Sequence, residues 1–319
     1  MGIFASNENR IKCGECNAEF DLNKNNEGCP ICIIEGRKKK PSLKQEIESA
    51  GKGILTDYLA IPAELKLSSG KLILNEGTKL IGTWGMFNSF FPGKAVLRIL
   101  ANMMYKNKIE YTILDDLINK SAGIFKANGF SKLRGFPNDP EKQNSIGRLV
   151  YHFIKTFNEM GFFLVKAKEE NKGDVWDEPW KNIEITLTKE GLDFAKLPNR
   201  IFDDHEPIQV LTTEEKVWLL KYLKKIDEAG YKEFYMLINV FEFIKKSNNG
   251  KEELWAWYRN NSTFRKYVQE WSRKSGDREA FEKQIANLAP TFAAGKVALL
   301  RELGVIKNRR NDYTIIGNL

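Results

Sequence analysis

All four cysteines of the 319-residue chain lie within one segment of twenty residues near its N-terminus. They form two Cys-x-x-Cys pairs separated by twelve residues, at Cys13, Cys16, Cys29 and Cys32. Each pair can direct two thiolates at one ion, and two pairs complete the tetrahedral coordination that Zn²⁺ prefers. Four protein ligands leave no position open for a substrate, so we expect a structural zinc site rather than a catalytic one.

Two disulfide bonds are the alternative for the same cysteines. Disulfides persist in oxidising compartments, whereas the N-terminus lacks the apolar core of a signal peptide and no stretch approaches the roughly 18 apolar residues of a membrane span. We therefore expect zinc and a cytoplasmic protein without a membrane partner, nucleoid-associated in a bacterium or nuclear in a eukaryote. The segment 11–34 resembles the zinc-ribbon family, which implies a ribbon module at 1–36 that binds DNA, RNA or protein.

Positive charge is concentrated in two blocks of the sequence. The chain carries a formal net charge of +8, with 9 basic and 3 acidic residues in 120–168 and 13 basic and 7 acidic residues in 251–310. The intervening residues 169–250 carry 12 basic and 17 acidic residues. Such blocks attract polyanions, so this distribution favours DNA as a partner.

Residues 37–89 are predicted to form a linker followed by a small β-meander, because short apolar runs alternate with turn residues between 64 and 84. The same stretch contains Asp57, Glu64 and Lys66, whose types match a magnesium-dependent nuclease. The simpler interpretation places Glu64 and Lys66 on the solvent face of a strand, with Leu65 and Leu67 on the other face. The nuclease is kept as an alternative to a binding protein.

The following region alternates helix and strand signals. Apolar spacing predicts helices at 94–106, 113–119 and 141–160, an extended piece at 109–111, and strands at 162–165 and 183–187. Thr112 is predicted to cap the second helix. The order helix, strand, helix, helix, strand, strand resembles the winged-helix family across residues 90–197, which implies a DNA-binding domain at about 90–200.

The third predicted helix separates into two faces. Its buried stripe is expected to contain Ile146, Leu149, Val150, Phe153, Phe157 and Met160. Its polar stripe contains Asn144, Arg148, His152 and Lys155. In a winged helix this outward face enters the major groove, where Arg can pair with guanine and Asn with adenine. The resemblance therefore implies base recognition by the polar stripe.

Residues 207–319 are predicted to form a helical domain. Helices are expected at 212–228, 231–246, 251–260, 262–274, 277–288 and 290–303, followed by a hairpin of 305–307 and 313–316. Residues 290–316 resemble the last helix and wing of a second winged-helix unit, with Arg309 and Arg310 at the hairpin tip able to reach a minor groove. The aromatic residues of 255–271 are interpreted as core rather than as a base-stacking surface.

The sequence as a whole predicts a helix-rich, multidomain α+β protein that is not an enzyme. We expect it to bind double-stranded DNA, dependent on sequence or base modification, as a regulator or as the targeting component of a nucleic-acid-processing or defence system. A protein-interaction adaptor within a nucleic-acid complex is the second alternative, since ribbons and winged helices also bind proteins. The sequence carries neither a Gly-rich phosphate loop nor a cysteine outside the ribbon segment that could act as a nucleophile.

Overall fold

The computed structural model describes residues 10–12, 19–21, 65, 67, 80, 89–127, 146–168, 174–203, 210–247, 250–271, 277–309 and 312–319. The chain divides into two compact units, Met1–Gln45 and Glu46–Leu319. The described residues are rich in helix and carry small antiparallel sheets, which makes this an α+β protein. None of the helices in these ranges combines the length and apolarity needed to cross a membrane.

The described part of the first unit is a short antiparallel hairpin. Strand β1 is Arg10–Lys12 and strand β2 is Glu19–Asp21. Arg10 pairs with Asp21 and Lys12 pairs with Glu19. The strands flank the first Cys-x-x-Cys pair in sequence, whereas all four predicted zinc ligands lie outside the described residues.

In the part of the chain that the structure describes, the first half of the second unit forms four helices around a three-stranded sheet. Its elements are α1 (Phe90–Asn107), β3 (Thr112–Ile113), α2 (Leu114–Ala127), α3 (Ile146–Glu159), β4 (Phe163–Ala167), β5 (Ile183–Leu187) and α4 (Lys189–Lys196). The sheet is antiparallel in the order β3–β5–β4, and Ile185 of the central strand is paired with both Thr112 and Val165. The predicted succession of helices and strands is therefore present.

Helix α1 lies at the centre of this half and is buried on nearly all sides. It begins four residues before the predicted start, because the Ser89 hydroxyl caps it by accepting from the backbone N–H of Phe91 at 3.4 Å. Pro92 occupies the first turn, where its missing N–H costs no intrahelical hydrogen bond. The helix ends at Lys108, whose left-handed backbone (φ 54°) lets its N–H bond the carbonyls of Met104 and Tyr105.

Four local predictions in the first half of the second unit were wrong. Thr112 is a strand residue rather than a cap, and α2 continues eight residues beyond its predicted end at residue 119. Leu149 is only half-buried, whereas Ile154 and Thr156 of the same helix are buried. Helix α3 is therefore enclosed on a wider arc than its apolar stripe. Leu65, Leu67 and Leu80, the described residues of the predicted β-meander, lie in no strand.

The described residues of the second half form five helices and a hairpin. They are α5 (Thr213–Glu228), α6 (Glu233–Ser247), α7 (Lys251–Asn260), α8 (Ser262–Trp271), α9 (Arg278–Glu302), β6 (Ile306–Arg309) and β7 (Asp312–Ile315). Helix α5 starts with a reciprocal capping box between Thr212 and Glu215. Tyr258, Phe264 and Tyr267 are buried, so the interpretation as core is confirmed for these three. Trp255 and Trp257 are half-buried, and the side chain of Trp271 lies outside the described residues.

Helix α9 corrects the prediction of two helices separated near residue 289. It runs through Pro290, which removes one backbone hydrogen bond to the carbonyl of Ala286. Ala286 is exposed, so water can satisfy that carbonyl, and the neighbours Ala289 and Phe292 are buried. Packing on both sides of the proline therefore maintains a helix that local preference would interrupt.

The corners that follow α3 and α9 have the same backbone geometry. Helix α3 passes through Gly161 (φ 77°) into β4, and α9 passes through Gly304 (φ 71°) into β6. Equivalent backbone hydrogen bonds close both corners, from the N–H of Phe162 to the carbonyl of Phe157 at 2.7 Å and from Val305 to Leu300 at 3.1 Å. Each half thus leads from a long helix through a left-handed glycine into a hairpin.

Aromatic packing joins the two halves. Trp218 and Tyr222 of α5 stack with ring centroids 5.0 Å apart, and both contact Phe162. Phe194 of α4 stacks on Phe162 at 5.4 Å. The Tyr222 hydroxyl donates to the carbonyl of Met160 at 2.5 Å, which fixes the end of α3 against α5.

Candidate nucleic-acid interface

Helix α3 is anchored firmly through its apolar side. Phe157 packs against α1 so closely that a Cβ added at Gly93 would lie 2.5 Å from its ring. Ile146, Val150 and Phe153 are fully buried on the same side. Burial of each large apolar side chain contributes about 1.5–3 kcal/mol to folding stability. The packed side therefore fixes the orientation of α3, and with it the position of the opposite face.

The opposite face carries the polar stripe predicted from the sequence. Arg148 is exposed, and His152 and Lys155 are half-buried. Asn144 lies outside the described residues. Within the ranges that the structure describes, neither Arg148 nor Lys155 is paired with a carboxylate, in contrast to Lys166, which pairs with Glu184 at 3.0 Å. The guanidinium of Arg148 is therefore available to an anionic ligand.

Three aromatic side chains adjoin this stripe, and sequence reasoning missed their association. We call Tyr151, Trp176 and Trp180 the aromatic cluster. Tyr151 lies on α3, and its ring stacks on Trp180 with centroids 5.2 Å apart and planes at 23°. Trp176 meets Tyr151 edge-on at 5.6 Å, and the Lys155 ammonium lies 5.6 Å from the Trp176 centroid. Residues 174–182 of the connection between β4 and β5 thus fold back along α3.

Local hydrogen bonds fix both tryptophans of the connection. The Asp174 carboxylate caps a 3₁₀ turn, Val175–Asp177, by accepting from the backbone N–H of Trp176 at 3.1 Å. A second 3₁₀ turn, Trp180–Asn182, leads directly into β5. The N–H of Lys168 bonds the carbonyl of Asn182 at 2.9 Å and closes the base of the connection. The cluster is consequently a formed surface and not a free loop.

Charge differs between the two sides of the cluster. Burial, followed by the charges of Arg148 and Lys155, lowers the pKa of His152, so its imidazole is neutral at neutral pH. Burial, followed by Asp174 and Asp177, raises the pKa of Tyr151, so its hydroxyl stays protonated. The helix side is therefore cationic, and the connection side carries carboxylates.

The arrangement contains groups that can bind a nucleic acid. A guanidinium and an ammonium can contact phosphates, and half-exposed rings can contact bases. Across the described ranges, no three histidine, cysteine, aspartate or glutamate side chains come together as ligands for a metal ion. Asp57, Glu64 and Lys66 of the nuclease alternative lie outside those ranges.

The structure describes the two strands of the C-terminal hairpin but not its tip. The backbone of Arg309 ends β6 and pairs with Asp312, while Arg310 and the side chain of Arg309 lie outside what the structure describes. The last turns of α9 are buried except for Ala294 and the half-buried Arg301. The last turns of α9 therefore lack the exposed polar face that α3 has, although a matching corner follows both helices.

Comparison with protein-family models, with curated proteins and with solved structures found no match for the chain. The family resemblances thus rest on the residues of the chain itself.

Proposed function

We propose that this chain binds double-stranded DNA through the polar face of α3, in the manner of a winged helix, and that a zinc ribbon at its N-terminus is held by Cys13, Cys16, Cys29 and Cys32. The observation that carries the proposal is a cationic helix face, with Arg148 exposed, on a helix whose other face is fully packed. The succession of helix, short strand, two helices and hairpin supports it, as does the basic block 120–168.

The roles within the site follow from position along the stripe. Asn144, Arg148 and His152 are proposed to face base edges, and Lys155 to face a phosphate. Arg309 and Arg310 are proposed as a second backbone contact. Because His152 is neutral at neutral pH, the salt dependence of binding is assigned to the permanent cations.

Binding titrations on specific and random duplexes at several salt concentrations test the proposal. Arg148→Ala should cost about 1–3 kcal/mol on the preferred duplex and reduce its advantage over random sequence. Lys155→Ala should weaken all duplexes alike and lower the salt slope by about one unit. Lys224→Ala, an exposed lysine on α5, is the matched control and should change neither quantity.

Unchanged affinity in both stripe variants would remove α3 from the interface and leave Arg309 and Arg310 to be tested next. Salt-independent binding, or binding only to a protein, would instead favour the adaptor.

The zinc site has a separate test. Protein purified under reducing conditions should contain one Zn²⁺ per chain, since four thiolates complete a single tetrahedral site. Cys13→Ser and Cys29→Ser should lose the ion and loosen the N-terminal unit, because metal binding supplies the folding energy of so small a module. Elemental analysis measures the metal, and limited proteolysis measures the loosening. Metal-free wild-type protein would contradict the site.

A further inference from the structure

The aromatic cluster differs from the other aromatic packing at the same end of the fold. Phe162 and Phe194 are completely buried, and Tyr222 is 4% exposed. Tyr151, Trp176 and Trp180 are each only half-buried, although their rings contact one another. Packing the connection onto α3 accounts for the contacts between the rings. It does not account for three large rings left partly open beside a cationic helix face.

The charges around the aromatic cluster favour one orientation of a bound nucleic-acid strand. Arg148 and Lys155 lie on the helix side, whereas the described part of the connection carries Asp174, Asp177 and Glu178 against Lys168 and Lys181, a net charge of −1. A phosphate is attracted to the first side and repelled from the second. A nucleic-acid strand is therefore best accommodated with its phosphates along α3 and its bases toward the tryptophans.

Indole rings contact the faces of bases, and the interior of a DNA duplex does not offer those faces. Within a duplex, each base is stacked between its neighbours and only its edges are accessible in the grooves. Base faces become available at a duplex end or in an unpaired strand, where they stack on aromatic side chains with little dependence on sequence. The half-exposed rings are thus suited to stacking on unpaired bases, whereas the polar stripe of α3 is suited to the grooves of paired DNA.

We infer that α3 and the aromatic cluster together bind a junction between duplex DNA and a single strand, with the duplex against the polar stripe and the first unpaired bases stacked on Trp176 and Trp180. The inference rests on the proposed function, because it places duplex DNA on α3. It goes further by naming the form of DNA that the site prefers. Lys155 lies between the two parts and contacts the phosphate at the junction.

Three fluorescent probes test the preference with the full-length protein. They are a blunt duplex, the same duplex with a six-nucleotide oligothymidylate overhang, and the free oligothymidylate strand. The overhang duplex should bind about tenfold or more tightly than the blunt duplex at equal salt, since each stacked base adds affinity. Trp176→Ala and Trp180→Ala should each reduce that ratio toward one.

Tryptophan fluorescence provides a second measurement, on variants that keep an aromatic ring at each position of the cluster. Stacking of a base on an indole quenches the fluorescence of the indole. The overhang duplex should therefore quench the tryptophan fluorescence of the wild-type protein more than the blunt duplex does. Trp176→Phe and Trp180→Phe keep an aromatic ring in the cluster and should remove part of this extra quenching. Trp255→Phe on α7, also half-buried, is the matched control and should leave the extra quenching intact.

The results distinguish failure of the junction site from failure of the proposed duplex binding. Equal affinity of the wild-type protein for the overhang and blunt duplexes would overturn the junction site while leaving duplex binding in place. The same conclusion follows if both phenylalanine variants retain the full quenching and the full affinity ratio. Failure of the wild-type protein to bind either duplex would overturn the proposed function, and the junction site with it.

Discussion

A single glycine determines how closely α4 approaches the corner after α3. A Cβ added at Gly191 would lie 2.1 Å from the carbonyl oxygen of Phe162. That oxygen already accepts from the N–H of Thr188 at 3.1 Å, and the Thr188 hydroxyl caps α4 through the N–H of Gly191 at 2.9 Å. The obstacle is backbone, so no side-chain rotation can relieve it.

We therefore expect Gly191→Ala to lower the free energy of unfolding by about 3 kcal/mol, the upper part of the range for overpacked sites. Gly123→Ala is the matched control, because Gly123 lies in α2 with nothing within 4 Å of an added Cβ. There the alanine should stabilise the protein by about 1 kcal/mol through helix propensity. Denaturant titrations measure both values. A Gly191→Ala protein as stable as the wild type would show that the corner can open at little cost.

Among the elements, those with strong local signals were predicted well. Helix α7 has the predicted bounds, Lys251–Asn260, because Gly250 precedes it and its apolar positions recur at helical spacing. The C-terminal hairpin also lies where apolar residues on both sides of a polar turn placed it. Pro290 misled the prediction because its local cost is offset by burial that only the folded chain shows.

The candidate site was predicted only where its residues lie on one element. Arg148, His152 and Lys155 recur along one helix, so periodicity alone brings them together. Tyr151 and Trp176 are 25 residues apart, and their contact depends on how the connection folds back over α3. A Trp-rich connection after a strand was the available signal, but no periodic rule relates it to a helix face. The zinc ligands are the opposite case, since their spacing alone predicts the site.

At the scale of the whole second unit, a buried polar junction connects its two halves. Lys94 of α1 is 1% exposed and pairs with Glu215 of α5 at 2.5 Å. The same carboxylate accepts from the Asn199 side chain at 2.9 Å and from the Thr212 backbone at 2.7 Å. Arg98 pairs with Asp203 at 2.5 Å, and Glu302 accepts from the N–H of Phe90 at 2.7 Å. The junction thus couples α1, α5 and α9.

Lys94 makes the stability of this junction depend on pH. Burial lowers the pKa of Lys94 to about 8 from its ordinary 10.5, and the nearby Glu215 opposes that shift only in part. Between these two values the unfolded chain binds more protons than the folded one, so the free energy of unfolding should rise with pH. Below pH 8 the lysine is charged in both states, and the cost of burying the charge is fully present.

Relative to Lys94→Met, the wild-type protein should therefore gain about 2 kcal/mol of stability between pH 8 and 10, since one pKa unit corresponds to about 1.4 kcal/mol. Titrations in urea at each pH measure this difference, in which all other titrating groups cancel. Lys94→Met leaves the buried Glu215 carboxylate without its cation, so Lys94→Met/Glu215→Gln serves as a second reference that removes both charges. Lys224→Met is the control, because Lys224 is an exposed lysine on α5. This variant should retain the wild-type dependence of the unfolding free energy on pH.

Parallel stability curves for the wild type and both Lys94 variants would contradict the prediction. They would show that Lys94 keeps its ordinary pKa, and hence that water reaches the buried polar junction.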